Sequence, residues 1–139
     1  MDFQLTSEQS ALQDSARRFA RERLPAVARQ CEETAQPPDR QVVRAYAEMG
    51  FLGVNVPEAY GGLGLGNLEA LLILEEFGKI SSAVAFPVFE SCVGPVRAIE
   101  RFASESLRQR VVPAVCRGEM QVAVSMSEPV GCILSSVMP

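Results

Sequence analysis

The residue types in this 139-residue sequence restrict the chemistry that it can perform. Histidine is absent, which removes histidine general bases, histidine-based triads and the commonest metal ligand. The cysteines are Cys31, Cys92, Cys116 and Cys132. They lie far apart and form no Cys-x-x-Cys pair, so the sequence predicts neither a metal site nor a redox dithiol. We expect free thiols that are buried as small apolar groups in a reducing compartment.

Two pairs of adjacent glutamates, Glu32-Glu33 and Glu75-Glu76, are the next candidates for acid or base chemistry. Neighbouring side chains on a helix point about 100° apart, so the members of a pair are poorly placed to share a proton. We therefore expect both pairs to lie on solvated helix faces rather than in a catalytic site.

A dense group of glycines lies between residues 51 and 66. The spacing Gly61-Gly62-x-Gly64-x-Gly66 matches neither the Gly-x-Gly-x-x-Gly of dinucleotide-binding folds nor a phosphate loop ending in Gly-Lys-Ser or Gly-Lys-Thr. Glycine adopts backbone conformations that other residues avoid. The segment is therefore predicted to be a shaped connection between two helices.

The composition is that of a soluble globular domain, with 47% apolar, 22% charged and 6% aromatic residues. A formal charge of -4 disfavours a nucleic-acid partner, which would require a basic face. No uninterrupted apolar run approaches the roughly 18 residues of a membrane span, and residues 1–9 do not resemble a secretory leader. We expect one cytoplasmic domain without a membrane span.

Capping residues and apolar periodicity predict a chain of helices. Thr6 should open the first helix with a capping box, and Pro25 should end or bend that helix. Asp39 and Asn67 are predicted to cap the next two helices.

The second half of the sequence contains helix breakers and a change of pattern. Pro87 and Pro95 predict two helical pieces or a bend within residues 82–103, and Ser104 is expected to cap a last helix. The alternating β-branched residues 121–125 then predict a strand that has no partner later in the chain. The predicted fold class is all-α, an up-and-down bundle of five or six helices with a strand at its C-terminal end.

The order of several short motifs resembles the N-terminal third of the acyl-CoA dehydrogenases, over residues 2 to about 129. The motifs are Gly50-Phe51-Leu52-Gly53, Val56-Pro57-Glu58-x-Tyr60-Gly61-Gly62-x-Gly64, Leu74-Glu75-Glu76-Phe77-Gly78, Pro113-Ala114-Val115-x-x-Gly118-Glu119 and Ser127-Glu128-Pro129. The second and the last are the most specific.

The resemblance implies a flavoprotein that removes two hydrogens from the α and β carbons of an acyl-CoA thioester. In this family a glutamate takes the α proton, FAD accepts the β hydride at N5, and electron-transferring flavoprotein reoxidises the flavin. Residues 1–120 would be the helical N-terminal domain, and residues 121–139 the truncated start of the middle β domain. The family's catalytic glutamate lies in the C-terminal part, so no catalytic residue and no metal ligand is assigned here.

By the same resemblance, Val124, Met126 and Ser127 would bind the cofactor, with backbone near the flavin pyrimidine edge and the Ser127 hydroxyl near N5. The alternative for Ser127 is a turn residue before Glu128-Pro129. Relatives usually continue with Gly-Ser-Asp, whereas this chain has Cys132-Ile133-Leu134. We therefore expect the isolated polypeptide to bind FAD weakly or not at all unless another chain completes the site.

By the same resemblance, the acyl-CoA substrate would contact the helix that spans residues 83–103, which relatives use as one wall of the acyl pocket. Phe86, Phe89, Glu90 and Val93 have the spacing of one helix face, so the resemblance implies that they form this wall. The alternative is that this stripe is ordinary core. For the polypeptide as a whole, the alternative function is a non-catalytic helical module that packs against a partner chain in a homo- or hetero-oligomer.

Overall fold

The computed structural model describes residues 4–125 and the backbone of residues 127–128 and 131–132. The α-helices are α1 (Ser7–Thr34), α2 (Arg40–Glu48), α3 (Asn67–Gly78), α4 (Ser82–Cys92), α5 (Pro95–Phe102) and α6 (Glu105–Cys116). A 3-10 turn at Glu58–Tyr60 interrupts the loop between α2 and α3, and β1 (Ser127–Glu128) pairs antiparallel with β2 (Gly131–Cys132). The prediction of a bundle of five or six helices is confirmed.

Helix α1 begins as predicted but does not end at Pro25. The Gln9 amide donates to Thr6 Oγ1 over 3.2 Å and the Thr6 amide donates to Gln9 Oε1 over 3.0 Å, which is the capping box. Pro25 is exposed, so the Arg21 carbonyl that loses its donor faces solvent. Because the nearby residues Leu24 and Ala28 are buried, packing holds the helix together as far as Thr34.

A cluster of four aromatic rings forms the centre of the bundle. Phe19, Tyr46, Phe51 and Phe77 lie with their ring centroids 5.0–5.9 Å apart, mostly edge to face. The Tyr46 hydroxyl donates to the Val84 carbonyl oxygen over 3.1 Å. The cluster therefore joins α1, α2 and α3, and its one buried hydroxyl ties it to α4.

A second apolar cluster lies beneath α5 and α6. Its buried members are Val56, Val96, Val111, Val112, Val115 and Cys116. The glycine-rich segment connects the two clusters, since Phe51 and Val54 belong to the first and Val56 to the second. This segment is the shaped connection that its glycines predict.

The acidic pair Glu75-Glu76 does not lie wholly on the solvated face that was predicted for it. Glu76 is 3% exposed and accepts hydrogen bonds from Arg17 Nη2 at 3.1 Å and Lys79 Nζ at 2.9 Å. Burial acts to raise the pKa of Glu76, but the hydrogen bonds from Arg17 and Lys79 outweigh it and hold the pKa below its usual range. Glu76 is therefore a buried link between α1 and α3, whereas Glu75 is exposed as expected.

Two predicted local features are wrong. The cap of α3 is Gly66 rather than Asn67, because the Glu69 carboxylate turns back to accept the Gly66 amide over 2.9 Å. Residues 121–125 form no strand, since no other strand lies beside them in the described part of the chain. The β pairing begins at Ser127.

The segment Ser82–Phe102 is long and apolar enough, by length and composition alone, to cross a membrane. In the fold it is two helices, α4 and α5, separated at residues 93–94. The break lies at Pro95, as predicted, whereas Pro87 lies within α4. About 44% of its most apolar window is buried within the bundle. A core helix passes the same test, so this is weak evidence for a span.

We predict that Gly62→Ala destabilises the fold while Gly78→Ala does not. A Cβ at Gly62 would collide with the Val56 carbonyl oxygen and lie 2.6 Å from the Gly53 carbonyl oxygen, whereas nothing lies within 4 Å at Gly78. Urea unfolding should show a loss of about 1–3 kcal/mol for Gly62→Ala and a gain of up to about 1 kcal/mol for Gly78→Ala. Equal changes in unfolding free energy for the two variants would contradict the close approach of backbone carbonyl oxygens to Gly62.

We predict that Glu76→Gln weakens the fold at neutral pH and loses this effect in acid. Because the pKa of Glu76 is depressed in the folded state, its contribution is complete above the unfolded value of about 4.3 and is lost as the pH falls through the folded value. At pH 7 the variant should be less stable by about 1–3 kcal/mol in urea unfolding. The variant Glu75→Gln, at the exposed neighbouring position, is the control. A difference in unfolding free energy between Glu76→Gln and the wild type that does not change with pH would refute the ionic interaction of Glu76.

Candidate functional site

A surface groove of about 610 Å³ lies where three segments of the chain meet. One side is formed by the end of α1 and the turn that follows it, residues 31–38. The other side is the first part of α4 with its cap, residues 81–90, and residues 121–123 close one edge. These segments are distant in sequence, so the groove exists only in the folded bundle.

Local sequence explains why the walls of the groove end and begin where they do. Helix α1 ends at Ala35, which adopts a left-handed conformation with φ 52°, and the prolines at 37 and 38 do not continue the helix. Ser81 starts α4 because its hydroxyl accepts the Ala83 amide over 3.2 Å. The turn and the helix start are therefore both fixed by short-range contacts.

The structure brings two of the predicted substrate residues to the groove. Phe86 and Glu90, one helical turn apart on α4, both line it. Phe89 contacts Phe86 edge to face, with ring centroids 5.9 Å apart, and Val93 packs against the central core. Phe86 and Phe89 are 55% and 42% exposed, so neither is part of the core.

The predicted cofactor residues lie at the end of the described chain. Val124 is 54% exposed, directly after the segment that closes the groove. Met126 and the side chain of Ser127 lie outside the described residues, and only the backbone of Ser127 is placed, in β1. No backbone hydrogen bond joins residues 121–125 to another part of the described chain.

The groove carries negative charge on an otherwise mostly apolar lining. Its charged side chains are Glu32 and Glu90, and no lysine or arginine lines it among the described residues. Burial raises the pKa of Glu90. The contribution of the turn at residues 35–38 was not predicted from sequence.

The described residues hold no group of three or more cysteine, aspartate or glutamate side chains that could bind a metal ion. Cys31, Cys92 and Cys116 are buried free thiols, as predicted, while the side chain of Cys132 lies outside the described residues. Burial raises the pKa of Cys116 to about 11, so it is protonated at neutral pH.

Comparison with known families gives a match over most of the chain. Residues 6–119 match the family model described as acyl-CoA dehydrogenase, N-terminal domain. Glutaryl-CoA dehydrogenase of Desulfococcus multivorans is 32% identical over 131 residues, which is 93% of this chain and 34% of the relative. Acryloyl-CoA reductase (NADH) of Anaerotignum propionicum is 32% identical over 93% of this chain and 32% of the relative.

Solved structures share the fold. A glutaryl-coenzyme A dehydrogenase in complex with glutaryl-CoA has a TM-score of 0.83 at 30% identity, covering 93% of this chain and 33% of the other. The FAD complex of PigA has a TM-score of 0.79 at 28% identity, covering 93% of this chain and 34% of the other. The chain therefore spans about a third of the length of the relatives that it matches.

We predict that Glu90→Gln makes thermal stability less dependent on pH. Because the folded state raises the pKa of Glu90, its favourable effect is complete below the unfolded value of about 4.3 and is lost as the pH rises through the folded value. The melting temperature of Glu90→Gln should match the wild type near pH 4 and exceed it at pH 8. Glu33→Gln, which is exposed and outside the groove, should follow the wild type throughout; the same curve for both variants would refute the burial of Glu90.

Proposed function

This chain belongs to the acyl-CoA dehydrogenase family, and on that premise we propose that it supplies the helical wall of an acyl-CoA site in a flavin-dependent dehydrogenase. The reaction would remove hydrogen from the α and β carbons of the thioester. The observation that carries the proposal is the groove, which places Phe86 and Glu90 beside the segment that leads to the Ser-Glu-Pro motif.

The residues of α4 provide the contacts that an acyl chain requires. Phe86 and Pro87 present apolar surface to the groove, and Phe86 is supported from behind by Phe89. An acyl chain that covers a half-exposed phenylalanine gains the hydrophobic free energy of the area removed from water. In the proposal, Phe86, Phe89, Glu90 and Val93 keep their predicted role on this wall, with Val93 acting through the core that supports it.

The segment after α6 would hold the cofactor. FAD, when bound, supplies the two-electron chemistry that no side chain of this sequence can perform. Residues 121–125 make no backbone hydrogen bond to other described residues, which supports a role in binding the edge of a flavin ring, and Val124, Met126 and Ser127 are the proposed contacts. A hydroxyl at Ser127 would stabilise negative charge near the flavin N5.

The remaining parts of the proposal follow from family membership. Residues 1–120 act as the helical domain, and residues 121–139, which include β1 and β2, as the start of a β domain. The catalytic base is supplied from outside the matched region, and electron-transferring flavoprotein is the electron acceptor. Separately from family membership, we propose the cytoplasm as its location, supported by its buried free thiols, and a homo- or hetero-oligomer as its assembly.

The second candidate function is a non-catalytic helical module that packs against a partner chain. It is supported by large apolar side chains that remain exposed on α3 and α4, which are Leu68, Leu71, Phe86 and Phe89. Of these, Phe86 lines the groove, so a bound thioester and a bound partner would compete for part of the same surface.

We predict that the purified chain binds hexanoyl-CoA and that Phe86→Ala weakens this binding about tenfold in isothermal titration. Phe102→Ala is the matched control, because Phe102 is 86% exposed and lies outside the groove; its dissociation constant should stay within about twofold of wild type.

Absorbance at about 450 nm reports whether flavin copurifies with the chain. Anaerobic bleaching of that band by hexanoyl-CoA would support dehydrogenation, whereas thioester binding by a colourless protein would support the acyl site alone. A chain that binds no thioester but forms a stable complex through α3 and α4 would reject the proposal in favour of the helical module.

A further inference from the structure

The charged side chains that line the groove bear on which acyl groups the groove could bind. Two of its lining side chains are carboxylates, Glu32 from α1 and Glu90 from α4. None of the described lining residues is a lysine or an arginine, and the closing segment 121–123 contributes Gln121, Val122 and Ala123, which are uncharged. The described part of the groove wall therefore carries two carboxylates and no cationic side chain.

Of the two carboxylates, Glu90 has the larger effect on a ligand in the groove. It lies on the face of α4 between the core and the groove, partly buried, and no ion pair or side-chain hydrogen bond holds it among the described residues. No described side chain therefore compensates its charge. Glu32 is exposed, so solvent and salt screen its charge more strongly.

We propose that this groove admits acyl groups whose far end is uncharged and excludes acyl groups that end in a carboxylate, with Glu90 as the residue that determines the difference. The inference rests on the proposed function, because it takes the groove to be the acyl site. An incoming carboxylate would leave water, meet Glu90 and find no cation to pair with. A hydrocarbon end meets Phe86 and Pro87 without that cost.

The proposal separates this chain from a relative that it resembles closely. Glutaryl-CoA dehydrogenase of Desulfococcus multivorans is 32% identical, and a glutaryl group ends in a carboxylate. If the groove is the acyl site, shared fold and family do not extend to this substrate, because the Glu90 carboxylate on α4 disfavours a second carboxylate beside it.

The test compares two thioesters of the same shape. In 5-methylhexanoyl-CoA two methyl groups replace the carboxylate oxygens of glutaryl-CoA, while the coenzyme A part and its charges are identical. Isothermal titration at pH 7.5 (about 3 pH units above the usual glutamate pKa, so that free carboxylates are ionised) gives both dissociation constants for each protein. The ratio of the two dissociation constants is compared between proteins, because any change in the binding of the coenzyme A part affects both thioesters equally and cancels.

For the wild type and for Glu33→Gln, glutaryl-CoA should bind at least about tenfold more weakly than 5-methylhexanoyl-CoA. Glu90→Gln should reduce that ratio severalfold, and Glu90→Lys should bind glutaryl-CoA more tightly than the wild type does. Circular dichroism confirms that each variant is folded before titration.

The outcomes distinguish the two proposals. If the wild type binds both thioesters equally, or if Glu90→Gln leaves the ratio unchanged, the exclusion of carboxylates is wrong while the acyl site stands. If the wild type binds neither thioester, the proposed function fails, and the inference that rests on it fails as well.

Discussion

The close approach of backbone at Gly53 and Gly62 is the constraint on which the rest of the bundle depends. A side chain at Gly53 would collide with Cys116 of α6, and one at Gly62 would collide with the Val56 carbonyl. The Gly53 amide also donates to Ser91 Oγ of α4 over 3.4 Å, and its carbonyl accepts the Leu63 amide over 3.2 Å. The loop thereby fixes α4 and α6 relative to each other, and α4 carries one wall of the groove.

Buried polar contacts give this apolar bundle a specific arrangement. Apolar packing alone is tolerant of small shifts between helices, whereas a buried donor or acceptor that loses its partner costs about 1–3 kcal/mol. Tyr46 meets the Val84 carbonyl, Glu76 meets Arg17 and Lys79, and the Arg97 guanidinium donates to the Asn55 carbonyl at 3.0 Å. These contacts lie at different interfaces, so together they fix the bundle from several directions.

Sequence predicts the features of this fold that short-range contacts decide. The caps at Thr6 and Asp39 and the helix break at Pro95 follow from side chains that act within four residues, and all three are observed. The continuation of α1 through Pro25 and the burial of Glu76 depend instead on which face meets another helix. No local pattern contains that information.

In the groove, too, short-range spacing predicts some features and packing between distant helices decides the others. Residues 86 and 90 are separated by one helical turn and share a face, as their spacing predicts. Val93 has the right interval as well, but α4 ends at Cys92, so the helical periodicity no longer determines where its side chain lies. The opposite wall at residues 35–38 is about 50 positions away in sequence, and only the packing of α1 against α4 brings it there.

The helical scaffold is restricted by contacts inside the protein, whereas the groove faces solvent. Family membership therefore determines the scaffold more firmly than it determines the residues of the groove. Gly53, Gly62 and the aromatic rings are restricted by contacts inside the protein, and those contacts are the same whatever ligand binds. Phe86 and Glu90 contact solvent on one side, so changing them alters the ligand's surroundings with little effect on the core. A fold shared at 32% identity is therefore compatible with a groove whose exposed lining residues differ from those of the relative.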